Sequence, residues 1–179
     1  MQIETTNIAD LVVLTPRVFK DERGYFMETY TQKKYTDLLN TEFVQDNESQ
    51  SAQGVLRGLH FQKPPFAQAK LVRVIQGSAL DVAVDLRKNS PTYGKHYKVV
   101  LTAENKKQFF IPAGFAHGFV TLEADTIFSY KCSAYYEQSA EDSLRWNDPD
   151  LAIDWEIEKP QLTEKDAEAN FFATFKSPF

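Results

Sequence analysis

Cysteine occurs once in the 179 residues of the chain, at Cys132. No internal disulfide can form, and the chain suits a reducing compartment such as the cytoplasm. Histidine occurs three times, at His60, His96 and His117, with no His-x-His pair. A metal site on a β-scaffold draws three or four ligands from His, Asp, Glu or Cys, so no metal centre is expected. No apolar run nears the ~18 residues of a membrane-spanning helix. The most apolar stretch, Phe109 to Leu122, is interrupted by Pro112, Gly114, His117 and Gly118. The first residues, MQIETTNIAD, lack the basic start and apolar core of an export signal. Positive charge is in deficit, with 20 Lys and Arg against 25 Asp and Glu and a net charge of −5. That balance argues against nucleic-acid or membrane partners but leaves room for a local cationic pocket. No Gly-x-Gly-x-x-Gly fingerprint follows a strand, so no redox dinucleotide is expected. Repeats, low-complexity tracts and Gly/Ser linkers are absent too, and residues 1–179 read as one domain.

Against these absences stands an apolar content of 42%, with 13% aromatic residues, enough to fill a core. Its patterning is that of strands. From Gly77 to Arg87, Leu80, Val82, Val84 and Leu86 share one face while Asp81, Ala83, Asp85 and Arg87 share the other. Asn89-Ser90-Pro91 marks a turn. Further strands are expected over 97–102, 108–111, 119–122 and 126–136, with Glu123-Ala124-Asp125 as a hairpin loop. In the last strand, Phe128, Tyr130, Cys132, Ala134 and Tyr136 fall on one face. Helical patterning is confined to a short segment after Thr31, carrying Tyr35, Leu38 and Leu39, and to a start at Thr163-Glu164-Lys165-Asp166. Many short strands separated by turn signals predict an all-β sandwich or barrel.

Two segments place polar chemistry in apolar surroundings. Val55-Leu56-Arg57-Gly58-Leu59-His60-Phe61-Gln62 carries an Arg and a His of opposite strand parity. Gly58 must permit a bulge if both are to face one pocket. Ile111-Pro112-Ala113-Gly114-Phe115-Ala116-His117-Gly118-Phe119 is a Gly-bracketed turn into a strand, which can bring a His and nearby backbone to a cavity. Taken alone, either His also fits a hydrogen-bonded core position.

Arg57-Gly58-Leu59-His60-Phe61-Gln62, Lys70-Leu71-Val72-Arg73-Val74, Pro112-x-Gly114-x-Ala116-His117-Gly118-Phe119 and Trp146-Asn147-Asp148 occur in that order. Asp21-Glu22-Arg23-Gly24-Tyr25-Phe26 and Gln45-Asp46-Asn47-x-Ser49 precede them. As a set they resemble the dTDP-4-dehydrorhamnose 3,5-epimerase family over about Val12 to Asp166. The resemblance implies a cupin-type jelly roll, a homodimer, no metal or other cofactor, and a thymidine-diphosphate-linked 4-keto-6-deoxyhexose as substrate. Epimerisation beside a ketone removes a proton and returns one to the opposite face, so a base and an acid must flank the sugar. The enolate between the two steps needs a cation or donors at its oxygen.

On this resemblance His60 matches the base and Tyr130 the acid. Asp166 matches the carboxylate orienting the base, and Lys70 the residue at the enolate oxygen. Arg23, Glu28, Gln45, Asn47, Arg57, His117, Glu141 and Lys165 match ligand-contacting positions, and Tyr136 matches the aromatic that stacks on thymine. The residues by themselves leave alternatives open. Tyr130 suits a buried strand position, Asp166 suits the first turn of a helix begun by Thr163, and Lys70 suits a solvated strand. Two departures from the family pattern stand out: Glu137-Gln138 after Tyr135-Tyr136, which bears on Glu141, and the proline-free Ala167-Glu168-Ala169-Asn170. Related single-carbon epimerases and a non-catalytic nucleotide-sugar-binding jelly roll share most of these features. The dimer is expected to use the strand-forming Leu11–Leu14 segment as an arm crossing to its partner.

Overall fold

A computed structural model describes residues Met1–Phe179. The first strands are β1 (Gln2–Thr5), β2 (Val12–Thr15), β3 (Val18–Asp21) and β4 (Gly24–Met27), followed by helix α1 (Gln32–Leu39). Next come β5 (Gln45–Ser51), β6 (Leu56–Gln62), β7 (Lys70–Gln76), β8 (Ser78–Asp85) and β9 (His96–Thr102). The remainder comprises β10 (Gln108–Ile111), β11 (Phe115–Thr121), β12 (Thr126–Cys132), β13 (Glu141–Ser143) and helix α2 (Glu164–Ala167). Two antiparallel sheets face each other, ordered β1-β2-β10-β7-β12-β5 and β13-β6-β11-β8-β9, and β3 and β4 form a separate hairpin.

Period-two patterning explains how the layers stack. Val13, Val72, Val74, Phe109, Ile111 and Phe128 from the six-stranded sheet meet Ala79, Ala83, Leu101, Phe115 and Phe119 from the five-stranded one. Phe119 and Phe128 stack at 3.9 Å between ring centroids across this interior. Each of the larger side chains, the alanines apart, contributes roughly 1.5–3 kcal/mol by leaving water. The opposite face of the five-stranded sheet presents Leu80, Val82, Val84, Ala116 and Val120, covered by Leu144, Leu151 and Trp155. Helix α1 covers part of the other sheet by inserting Tyr35 against Leu71 and Phe110; the Tyr35 hydroxyl donates to Gln108 at 2.8 Å.

The alternation expected over Gly77–Arg87 is present in β8, but both of its faces are buried. One packs under the C-terminal segment, and the other, bearing Asp81 and Ala83, points between the sheets. Expected strand 119–122 begins earlier, at Phe115, and expected strand 126–136 ends at Cys132. Residues 123–125 do not close a hairpin. β11 pairs with β6 and β8, whereas β12 pairs with β5 and β7. The loop carries the chain from one sheet to the other, as a jelly roll requires. Leu11–Leu14 is placed within its own chain, β2 lying between β1 and β10 with Leu11, Val13 and Leu14 buried. The apolar segment left exposed is instead the β3–β4 hairpin, where Phe19, Tyr25 and Phe26 are 50%, 57% and 69% exposed.

Asp85 closes β8 and ties down the turn that follows it. Its buried carboxylate accepts from the backbone and guanidinium of Arg87 and from the hydroxyls of Ser90 and Thr92. Burial alone would raise its pKa, but these donors outweigh burial and hold it at about 2. Because the folded value is depressed, the stabilisation is complete above the ordinary carboxylate range and is lost as pH falls through about 2. Asp85→Asn should therefore destabilise the protein at pH 7 by on the order of 2 kcal/mol. Thermal melts from pH 7 down to pH 2 should show the gap between wild type and variant narrowing only below about pH 4; a gap independent of pH would refute this role.

Candidate active site

A cleft opens between the two sheets in two lobes of about 300 and 290 Å³. His60, Lys70 and Tyr130 line both and mark where they join. The outer lobe adds Gln45, Asn47, Tyr136 and Glu141, and the inner lobe adds Arg57, His117, Lys165 and Asp166. His60 comes from β6 in the five-stranded sheet, whereas Lys70 and Tyr130 come from β7 and β12 in the six-stranded sheet. The imidazole and the phenol therefore reach the cleft from opposite walls.

Local sequence explains each placement. His60 is the direct cross-strand neighbour of His117, but three residues on, Arg57 pairs with Phe119, only two residues along β11. The extra residue is the bulge that parity demanded of Gly58. Gly58 has φ +136°, and a Cβ there would lie 2.5 Å from the Gly118 Cα; only glycine fits, and both Arg57 and His60 reach the cleft. Asp166 makes a contact suited to each of the two readings its sequence allowed. Its amide donates to the Thr163 hydroxyl at the start of α2, while its carboxylate Oδ1 lies 2.6 Å from His60 Nε2. Burial would raise the Asp166 pKa, but the bond and charge of His60 prevail and hold it below the usual carboxylate range. With Nε2 engaged, His60 has Nδ1 left for chemistry.

Burial pushes the Tyr130 phenol up, so it stays protonated near neutral pH. Burial pushes the Lys70 ammonium down, and its Nζ lies 5.8 Å from the Tyr130 ring centroid. Arg57 is held only by the Ser51 hydroxyl, at 3.2 and 3.1 Å, and keeps an uncompensated charge for an anion. At the rim, Glu141 Oε2 lies 2.5 Å from Lys165 Nζ and accepts from the Tyr136 hydroxyl at 3.1 Å. These contacts tether an aromatic ring that is 55% exposed. The Glu137-Gln138 departure does not remove Glu141 from the cleft. Glu137 accepts from the Ser139 amide to cap a short turn, and Glu141 then opens β13 in register with Gln62. Downstream, the proline-free segment packs Ala169 against the body, where its carbonyl accepts from Arg145 Nε.

Arg23 and Glu28 line neither lobe. Arg23 sits on the exposed hairpin, paired with Asp21 at 2.6 Å, and Glu28 pairs with Lys34 at 3.0 Å. Neither residue therefore reaches the cleft within one chain: Arg23 belongs to the separate β3–β4 sheet, and Glu28 follows it. Conversely, Asp81, Cys132 and Ser49 belong to the site or its wall without having been singled out. Asp81 holds His117, Cys132 lines the outer lobe, and the buried Ser49 hydroxyl has no partner. No local signal marks Asp81, because its face of the strand also carries Asp85 and Arg87. No cluster of three or more His, Cys, Asp or Glu side chains suited to a metal is present.

Two facing antiparallel sheets, with a His–Asp pair on one wall and a phenol and a lysine on the other, define a cupin-type jelly roll equipped for proton transfer. Residues 5–174 match the family model described as dTDP-4-dehydrorhamnose 3,5-epimerase. The chain belongs to that family. It is 51% identical over 172 residues to the dTDP-4-dehydrorhamnose 3,5-epimerase of Salmonella typhimurium, covering 94% of each chain. Among solved structures, it is similar to the dTDP-4-dehydrorhamnose 3,5-epimerase of Elizabethkingia anophelis, with a TM-score of 0.92, 51% identity and 97% of each chain covered. It is also similar to a Legionella pneumophila dTDP-6-deoxy-D-glucose-3,5-epimerase in complex with dTDP-4-keto-L-rhamnose. There the TM-score is 0.94 and the identity 48%, with 98% of this chain and 94% of that one covered.

Proposed function

We propose that the chain, acting as one domain over residues 1–179, epimerises carbons 3 and 5 of dTDP-4-dehydro-6-deoxy-D-glucose to give dTDP-4-dehydro-L-rhamnose, as its relatives are named for doing. It is an isomerase of dTDP-L-rhamnose synthesis. The observation that carries the mechanism is the approach of His60 and Tyr130 to one cleft from opposing sheets. His60 Nδ1 removes the proton from the carbon beside the ketone, and the electron pair moves into the enolate; between the two inversions His60 gives its proton to solvent and Tyr130 regains one from it. The Lys70 ammonium faces the enolate oxygen and stabilises its charge. Tyr130 then delivers a proton to the opposite face, which inverts the centre, and the sequence is repeated at the second carbon. Asp166 fixes the ring of His60 and stabilises the imidazolium formed on proton capture.

Arg57 and Lys165 supply charge for the diphosphate, and Tyr136 offers its exposed ring to thymine. Gln45, Asn47, His117 and Glu141 provide polar contacts along the two lobes. Every step is a proton transfer, so the reaction calls for no metal and no redox cofactor. The buried free thiol of Cys132 suits a cytoplasmic protein. A homodimer accounts for the β3–β4 hairpin: its exposed phenylalanines need cover, and a hairpin laid on a second copy would carry Arg23 and Glu28 towards that copy's cleft.

Incubation with dTDP-4-dehydro-6-deoxy-D-glucose after exhaustive chelation should yield dTDP-4-dehydro-L-rhamnose by NMR at an undiminished rate. Unchanged substrate would overturn the assignment, and activity restored only by a divalent ion would overturn its metal-free form. Sedimentation at micromolar concentration should give the dimer mass; a monomer would remove the account of Arg23 and Glu28.

A further inference from the structure

A second His–Asp pair lies beneath the cleft. His117 Nε2 sits 3.0 and 2.9 Å from the two carboxylate oxygens of Asp81. Asp81 is fully buried on β8, and the His117 side chain is only 7% exposed on β11. Its ring is clamped against the Phe128 ring at 6.1 Å between centroids and an interplanar angle of 28°. Only Nε2 is used within the chain. Nδ1 makes no hydrogen bond there and is not among the buried atoms that lack one, and His117 lines the inner lobe. A buried carboxylate set in an otherwise apolar interior is costly unless it is paired, and this one is spent on a single ring nitrogen facing away from the cleft.

We propose that Asp81 is a positioning residue for the reaction. By holding Nε2 in a forked grip it fixes the ring angle and the proton of His117, so that Nδ1 is presented to the substrate beside Lys70. This rests on the epimerase reading above. Burial raises the Asp81 pKa and lowers that of His117; both shifts favour an uncharged pair that shares its protons. The other titratable groups facing His117 come from neighbouring strands: Lys70 on β7, His60 and Arg57 on β6, and Tyr130 on β12, with α2 lining the same lobe.

Two measurements test this on the full-length protein. First, the ring nitrogens of His117 can be read by ¹⁵N NMR without substrate. The wild type should keep one protonation pattern between pH 6 and 8, and Asp81→Asn should change it. A ring that titrates freely near the ordinary value of about 6.5 would overturn the proposal, even if Asp81→Asn fails to fold. Second, Asp81→Asn, assayed where it is fully folded, should lose about tenfold to a hundredfold in kcat, taking as the scale the cost of removing the partner that orients a metal-ligating His, with dTDP affinity changed less than twofold. In a His117→Gln background the same substitution should add nothing. Undiminished kcat, or a full additional loss in that background, would show that Asp81 is merely structural. A wild type without turnover would instead sink the epimerase reading, and the NMR signature would still decide the role of Asp81.

Discussion

His60→Asn should reduce the rate of epimerisation by roughly 10² to 10⁴, the range for loss of a general base. The expectation follows from the geometry: Nε2 is committed to Asp166 at 2.6 Å, so Nδ1 is the atom available to take the substrate proton, and an amide cannot hold it. Exchange of substrate protons with solvent should fall by the same factor, because no other step generates the enolate. The affinity for dTDP should change little, since the guanidinium of Arg57 and the rim formed by Tyr136, Glu141 and Lys165 are untouched. The side chain of His60 is 31% exposed, so its loss leaves no sealed cavity, and the melting temperature should stay close to wild type. A loss of activity that merely tracks the unfolded fraction would show that His60 supports the wall of the cleft instead of acting in it.

Tyr130→Phe should give a different pattern. The ring packs beside Phe128 and under Lys70, and phenylalanine preserves both contacts while deleting the proton donor. Inverted product should fall about 10²-fold or more, but His60 should still form the enolate, exchange the captured proton with solvent and return a solvent-derived one to the same face. Solvent exchange at the reacting carbons should therefore outrun product formation. Exchange and product lost in equal measure would break the division of labour between the two walls, and normal product formation would remove Tyr130 from the chemistry.

Features that depend on a few neighbouring residues could be read from the sequence. The opposite parity of Arg57 and His60 required a bulge at Gly58, and the register slip there supplies it. Thr163 begins a helix whose third residue, Asp166, is acidic, and the same turn that satisfies the helix start aims the carboxylate at His60. What alternation does not encode is which sheet a strand joins. The loop at residues 123–125 looks like a hairpin because two strands flank it; their partners are chosen by packing distant in sequence. For the same reason the face of β8 bearing Asp81 is indistinguishable from a solvent face until the opposing sheet is in place. Arg23 carries a family motif, but it pairs with Asp21 on an exposed hairpin and lines neither lobe of the cleft, an outcome its motif alone does not encode.

The central claim is that one proton is removed and one returned at each of two carbons beside the ketone. The most direct test is turnover of dTDP-4-dehydro-6-deoxy-D-glucose by the wild-type protein in heavy water, with the product analysed by NMR and mass spectrometry. The account predicts deuterium at carbon 3 and at carbon 5 of dTDP-4-dehydro-L-rhamnose. Deuterium at one carbon alone would contradict the double epimerisation, and its absence from both would contradict proton-transfer chemistry altogether.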